Sequence, residues 1–176
     1  MRPRDLAYSA LFGAAALLLP TLFHLVHLGH VFMPMYLPLV ALAFFVGPLA
    51  AALTGLLVPL LSGAVTGMPP FYPPIAVCMA LELASMGALI AGAKRIWPRA
   101  NDIVVLVPVL VLGRILNVGL AYASALLVHL PPAFVAGLSL LSGWPGIALM
   151  VVVVPAVANV GRRLGARARQ GDQQHG

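Results

Sequence analysis

Charge is what this sequence has least of. Of 176 residues only 8% are Asp, Glu, Lys or Arg, against roughly 25% in a soluble domain. So few charges do not cover a water-facing surface, and with a mean hydropathy of +1.05 the chain is expected to sit in lipid. It has one lysine, Lys94, and no G-x-x-x-x-G-K-[ST] phosphate loop, which excludes ATP hydrolysis by that route. It has one cysteine, Cys78, which excludes an internal disulfide and leaves either an inert core thiol or a reactive or ligating one. The basic residues flank apolar runs rather than forming a stripe, so no nucleic-acid surface is expected.

What is there is long apolar runs. A spanning helix needs about 20 apolar residues, and the chain divides into six candidate spans at about 6–23, 34–46, 49–65, 74–93, 103–128 and 145–160. The fold expected is an all-α integral membrane protein, a single six-helix domain over 1–165 with a flexible cytoplasmic tail over 166–176. Met1-Arg2-Pro3-Arg4-Asp5 resembles the start of a signal peptide, but five further spans favour a first span. In that span Ala10 and Ala14 are spaced i, i+4, beside Ser9 and Gly13. Such small-residue rows let helices approach closely, either inside the bundle or against a partner. Pro59 is a candidate kink in the third span.

Three places carry chemistry. His24, His27 and His30 recur every third residue between the first two spans. They suit either a metal site or an interfacial cap. The loop Gly67-Met68-Pro69-Pro70-Phe71-Tyr72-Pro73-Pro74 holds four prolines in eight residues; it is stiff, leaves few backbone donors unsatisfied and suits one wall of a pocket. It runs into the fourth span, where Cys78 and Glu82 are i, i+4 and share a helix face. Glu82 lies about 12 Å in from one end of its span, and Arg114 about 16 Å in from the end of the fifth. Charges at that depth mark function or a pair. A Glu82–Arg114 pair is either purely structural or, with Asn117, the floor of an outward cavity.

Charge also sets an expected orientation. Arg2, Arg4, Lys94, Arg95, Arg99 and the arginines at 162, 163, 167 and 169 all fall on one side of a six-span arrangement. The opposite connections, at about 24–33, 67–74 and 129–144, hold no lysine or arginine. By the positive-inside rule both termini are cytoplasmic, and the elaborated face, carrying the histidines and proline loops, is external. The segment 133–144 is expected to be a long loop with helical pieces.

Several features in order resemble the S-components of energy-coupling-factor (ECF) vitamin transporters. They are the six-span size, Phe32-Met33-Pro34-Met35-Tyr36-Leu37-Pro38, Gly47-Pro48, Pro59-Leu60-Leu61-Ser62 leading to Thr66-Gly67-Met68-Pro69-Pro70, and Ala80-Leu81-Glu82-Leu83-Ala84. The resemblance covers residues 6–95 and the remainder only by hydropathy. It implies a membrane-embedded vitamin-binding subunit whose outward pocket is capped by the loops after spans one, three and five. It also implies a separate coupling subunit and two ATPases, unless the protein acts alone, with docking through small residues of the first helix such as Ala10 and Ala14. A cysteine at position 78 looks like the BtuM-type cobalamin S-components, in which a thiolate binds the cobalt of cobalamin and promotes removal of its cyanide. That makes cobalamin the transported ligand, with no intrinsic cofactor, and makes Cys78 the cobalt ligand and the centre of any decyanation. Met68, Pro69, Phe71, Tyr72 and Met79 would wall the corrin, with Tyr36, Glu82, Arg114 and Asn117 beneath and one of His24, His27 or His30 opposite.

Other readings stand beside this one. A pocket for pantothenate or another small vitamin would use Arg114 and Asn117 and would not need Cys78. A nickel or cobalt ion carrier would use the histidines, but those S-components rely on a histidine at position 2, where this chain has Arg2. A membrane enzyme with a Cys78 nucleophile lacks a histidine on the same span to activate it.

Overall fold

The structure is a computed structural model that describes residues 2–25, 34–72, 74–127, 129 and 144–174; the side chains at 21, 24, 25, 144, 145 and 164–174 fall outside the description. The described residues form six helices and no strand: α1 (Pro3–Leu25), α2 (Tyr36–Leu42), α3 (Pro48–Thr66), α4 (Ile75–Ile96), α5 (Asp102–Leu127) and α6 (Trp144–Gln174). The all-helical expectation therefore holds. Four stretches are long and apolar enough to cross a membrane: Pro48–Thr66, Ile75–Ile96, Asp102–Leu127 and Gly146–Arg163.

The sizing of side chains supports a lipid environment. The inner face of α3 is Ala50, Ala51, Thr54, Gly55, Val58, Pro59, Ser62 and Gly63. Its outer face is Leu49, Leu53, Leu57, Leu61 and Val65, all exposed. Small residues inside and large apolar ones outside reverse the pattern of a water-soluble helix. Where lipid is the solvent, close backbone approach, rather than hydrophobic exclusion, drives association. At Gly55 an added Cβ would sit 2.7 Å from the Leu83 carbonyl oxygen, and at Gly87 one would sit 3.0 Å from that of Ala51. The two glycines, one on each helix, let α3 and α4 pack backbone to backbone. Thr54, on the same face, donates to the Ala50 carbonyl at 2.8 Å and so carries no unmatched hydroxyl into the core.

The second expected span, 34–46, contains a helix of only seven residues. Pro34 and Met35 form a turn before it, and a turn at Ala43–Phe45 follows. Gly47 is extended, and Pro48 then starts α3. At 1.5 Å per residue α2 rises only about 10 Å. Tyr36, Pro38, Leu39, Val40, Ala41 and Leu42 are buried, and α2 packs against α1, α3, α4 and α6. It is the centre of the bundle rather than a lipid-facing span. Beyond it, Phe45 stacks on Tyr8 and Phe12 of α1, with ring centroids 5.6 and 5.5 Å apart.

α1 turns Gly13 and Ala16 inward and leaves Leu6, Ala10, Leu11, Ala14 and Leu18 exposed. α6 continues as helix through Gln174, so residues 166–174, expected as a tail, have helical backbone. The expected loop at 133–144 lies outside the described residues except for its last residue, Trp144, which begins α6.

Candidate functional site

The helices bring the polar residues of three different elements together. Glu82 is 1% exposed, at the end of the second turn of α4. Its Oε2 accepts from the Tyr36 hydroxyl of α2 and from Asn117 Nδ2 of α5 at 2.7 Å. The Arg114 guanidinium, one turn before Asn117 on α5, acts on the same carboxyl electrostatically. Ser85 donates to the Glu82 backbone carbonyl at 2.7 Å. A lone carboxyl at this depth would be costly; two donors and a nearby cation surround this one.

Cys78 lies one turn toward the N-terminus of α4, on the Glu82 side. It is 8% exposed and lies near Ser124 of α5, whose hydroxyl donates to the Ala121 carbonyl at 2.8 Å. Arg114, Asn117, Ala121 and Ser124 follow at helical spacing on α5, so the α4–α5 seam is a polar track with Glu82 midway and Cys78 toward the loop end. Gly113 admits the Met86 side chain on this seam, where a Cβ would meet its sulfur at 2.5 Å.

The proline loop is tied to α3 and α4. Gly67 ends α3 at φ 72°, a left-handed conformation that glycine adopts without strain, and its amide donates to the Gly63 carbonyl. Ser62 donates to the Met68 carbonyl at 2.6 Å, and Thr66 accepts from the Met68 amide at 3.2 Å. The peptide bond between Met68 and Pro69 is cis. At Gly63 an added Cβ would lie 2.7 Å from the Pro69 carbonyl oxygen and 3.0 Å from the Phe71 ring, so the loop lies directly on α3. The Pro70 carbonyl accepts from the Ala76 amide at 3.0 Å, and the Pro74 carbonyl from the Cys78 amide at 3.1 Å. Met68, Phe71 and Tyr72 are exposed, Pro69 is half-buried, and Met79 packs against the core.

The structure thus joins Tyr36, Glu82, Asn117 and Arg114, with Cys78 close by. It adds Tyr36 as the donor that the Glu82–Arg114 expectation left out. His27 and His30 lie outside the described residues; His24 is in the last turn of α1, its side chain outside them too. Among the described residues no three His, Cys, Asp or Glu side chains converge on a metal position.

One cluster escaped the sequence reading. Asp102, 7% exposed, bridges Lys94 Nζ at 2.9 Å and Arg162 Nη2 at 2.6 Å. It joins the end of α4, the start of α5 and α6. The signal was present: Asp102 is one of only four acidic residues, and it follows the basic turn at 94–99. Compared with protein families, curated proteins and solved structures, the chain shows no match in any of the three.

Proposed function

We propose that the chain is the membrane-embedded capture subunit of an ECF-type vitamin-uptake system, with cobalamin as cargo and Cys78 as the axial ligand to its cobalt. The observation that carries the reading is the position of Cys78. It stands in the first turn of α4, immediately after the proline loop, with Ser124 beside its thiol. A thiolate is a soft ligand suited to cobalt, and coordination favours its deprotonation. Phe71, Tyr72 and Met68 offer exposed apolar surface on the adjoining loop for a corrin face. In this reading the proline loop faces outward, both termini are cytoplasmic, and the membrane is the cell membrane. Ala10 and Ala14 are exposed on α1 and form the docking surface for a coupling subunit, which brings the ATPases.

The small-vitamin reading is less well supported, because one N–H of the Asn117 amide it would use is already given to Glu82. The test is an absorbance titration of purified protein with cobalamin, wild type against Cys78→Ala. A shifted corrin spectrum in the wild type, absent from the variant, is the expected result. No binding by either protein overturns the cobalamin reading. Binding with identical spectra keeps the vitamin and removes Cys78 from the cobalt.

A further inference from the structure

The opposite end of the bundle from the proline loop holds a cavity of about 440 Å³. Four segments meet there: the start of α1, the turn after α2, the start of α3 and the end of α4. Arg2, Arg4, Lys94, Arg95 and Asp5 line it together with the apolar turn at 43–46. We infer that this cavity holds the phosphate of an anionic phospholipid headgroup, with an acyl chain running along α3.

The charge count is lopsided. Among the described residues the ion pairs take up Lys94 and Arg162, both on Asp102. Neither pair uses Arg2, Arg4 or Arg95. Arg4 lies over the Tyr8 ring, 5.4 Å from its centroid, and Asp5 accepts from the Arg2 backbone amide at 3.3 Å. Three arginines that make neither of these ion pairs therefore line the cavity beside one carboxylate. Guanidinium forks match phosphate oxygens in pairs. The amino-terminal end of α3 opens on the same cavity through Gly47 and Pro48 and has no side-chain cap, which adds a positive dipole end.

The source of the phosphate follows from what adjoins the site. Leu49, 64% exposed, follows Pro48 directly and begins the outward row Leu49, Leu53, Leu57, Leu61 and Val65. A basic cavity lined by Pro48, the residue that precedes this apolar row, fits an amphiphile rather than a free ion. Basic pockets between spanning helices bind anionic headgroups for the same reason.

The test places the full chain in phosphatidylcholine bilayers with a trace of spin-labelled phosphatidylglycerol or spin-labelled phosphatidylcholine. Electron spin resonance then measures the motionally restricted fraction of each. The expected result is a preference of about fivefold for phosphatidylglycerol in the wild type. Arg4→Gln/Arg95→Gln should bring it near parity, while Arg99→Gln/Arg163→Gln, exposed basic residues that do not line the cavity, leaves it in place. Thermal unfolding in detergent checks that both variants are folded. No preference in the wild type overturns the inference. So does equal loss in the two variants, which would mean diffuse surface charge. Binding of radiolabelled inorganic phosphate in neutral detergent, without any lipid preference, overturns the lipid source.

Discussion

The Tyr36 hydroxyl reaches across 46 sequence positions to donate to the Glu82 carboxylate, and both side chains are buried. The bond ties the short central helix α2 to α4, and Asn117 brings in α5 through the same oxygen. Removing the donor leaves a buried carboxylate with one partner fewer. Hydrogen bonds between helices in membranes average about 0.6 kcal/mol and reach about 1.7. Leaving a buried acceptor short of a donor moves the loss toward the upper end of such ranges. Tyr36→Phe is therefore expected to lower stability by about 1–2 kcal/mol in detergent unfolding. Asn117→Ala should cost a similar amount. The two losses should not add, because both bonds end on one oxygen.

Backbone packing of α3 on α4 makes a steric prediction. Gly55→Ala places a methyl against the Leu83 backbone, which cannot swing aside as a side chain does. Overpacking of this kind costs about 1–3 kcal/mol. Gly92→Ala on α4 meets nothing within 4 Å, and its melting temperature should match or exceed that of the wild type. Equal losses at both positions would contradict the close approach.

The Asp102 cluster separates its two cations by exposure. Lys94 is 16% exposed and Arg162 50%. An exposed pair contributes about 0–1 kcal/mol, whereas breaking a buried one costs about 3–5 kcal/mol. Asp102→Asn and Lys94→Gln should therefore destabilise far more than Arg162→Gln. The Arg162→Gln effect should also fade as salt is raised. Melting temperatures at low and high salt check both statements.

Loop anchoring bears on the cysteine. Ser62→Ala removes the donor to the Met68 carbonyl and should loosen the segment leading into the first turn of α4. Alkylation of Cys78 by a membrane-permeant maleimide should then accelerate severalfold. Leu61→Ala, on the exposed face of α3, should leave the rate unchanged. No acceleration in Ser62→Ala would mean that the loop does not limit access to the thiol.

Much of this was legible in the residues themselves. The boundaries of α3 and α5 fall within a residue or so of those expected, because Gly47-Pro48, Gly67 and the Asn101-Asp102 start are local signals. Depth along the helices placed Glu82 and Arg114 near each other. What hydropathy could not convey was the role of 34–46. Its composition reads the same whether its neighbours are lipid tails or other helices, since both are apolar. Nor could spacing along one helix show that Tyr36, 46 positions away, supplies the carboxylate's donor. Pairings of that kind are fixed only by how the helices cross.

The seven-residue α2 bears on how this protein is built into a membrane. A bilayer's hydrocarbon core is about 30 Å thick, so α2 alone is too short to partition into it as a separate span. The long helices can enter one after another on their own hydrophobicity, but α2 acquires its place only from α1, α3, α4 and α6 around it. The placing of α2 is therefore tied to the helices that surround it. The helix that carries Tyr36 to Glu82 is set in place by assembly of the bundle, and C-terminal truncations that stop short of α6 should leave it without one of its walls.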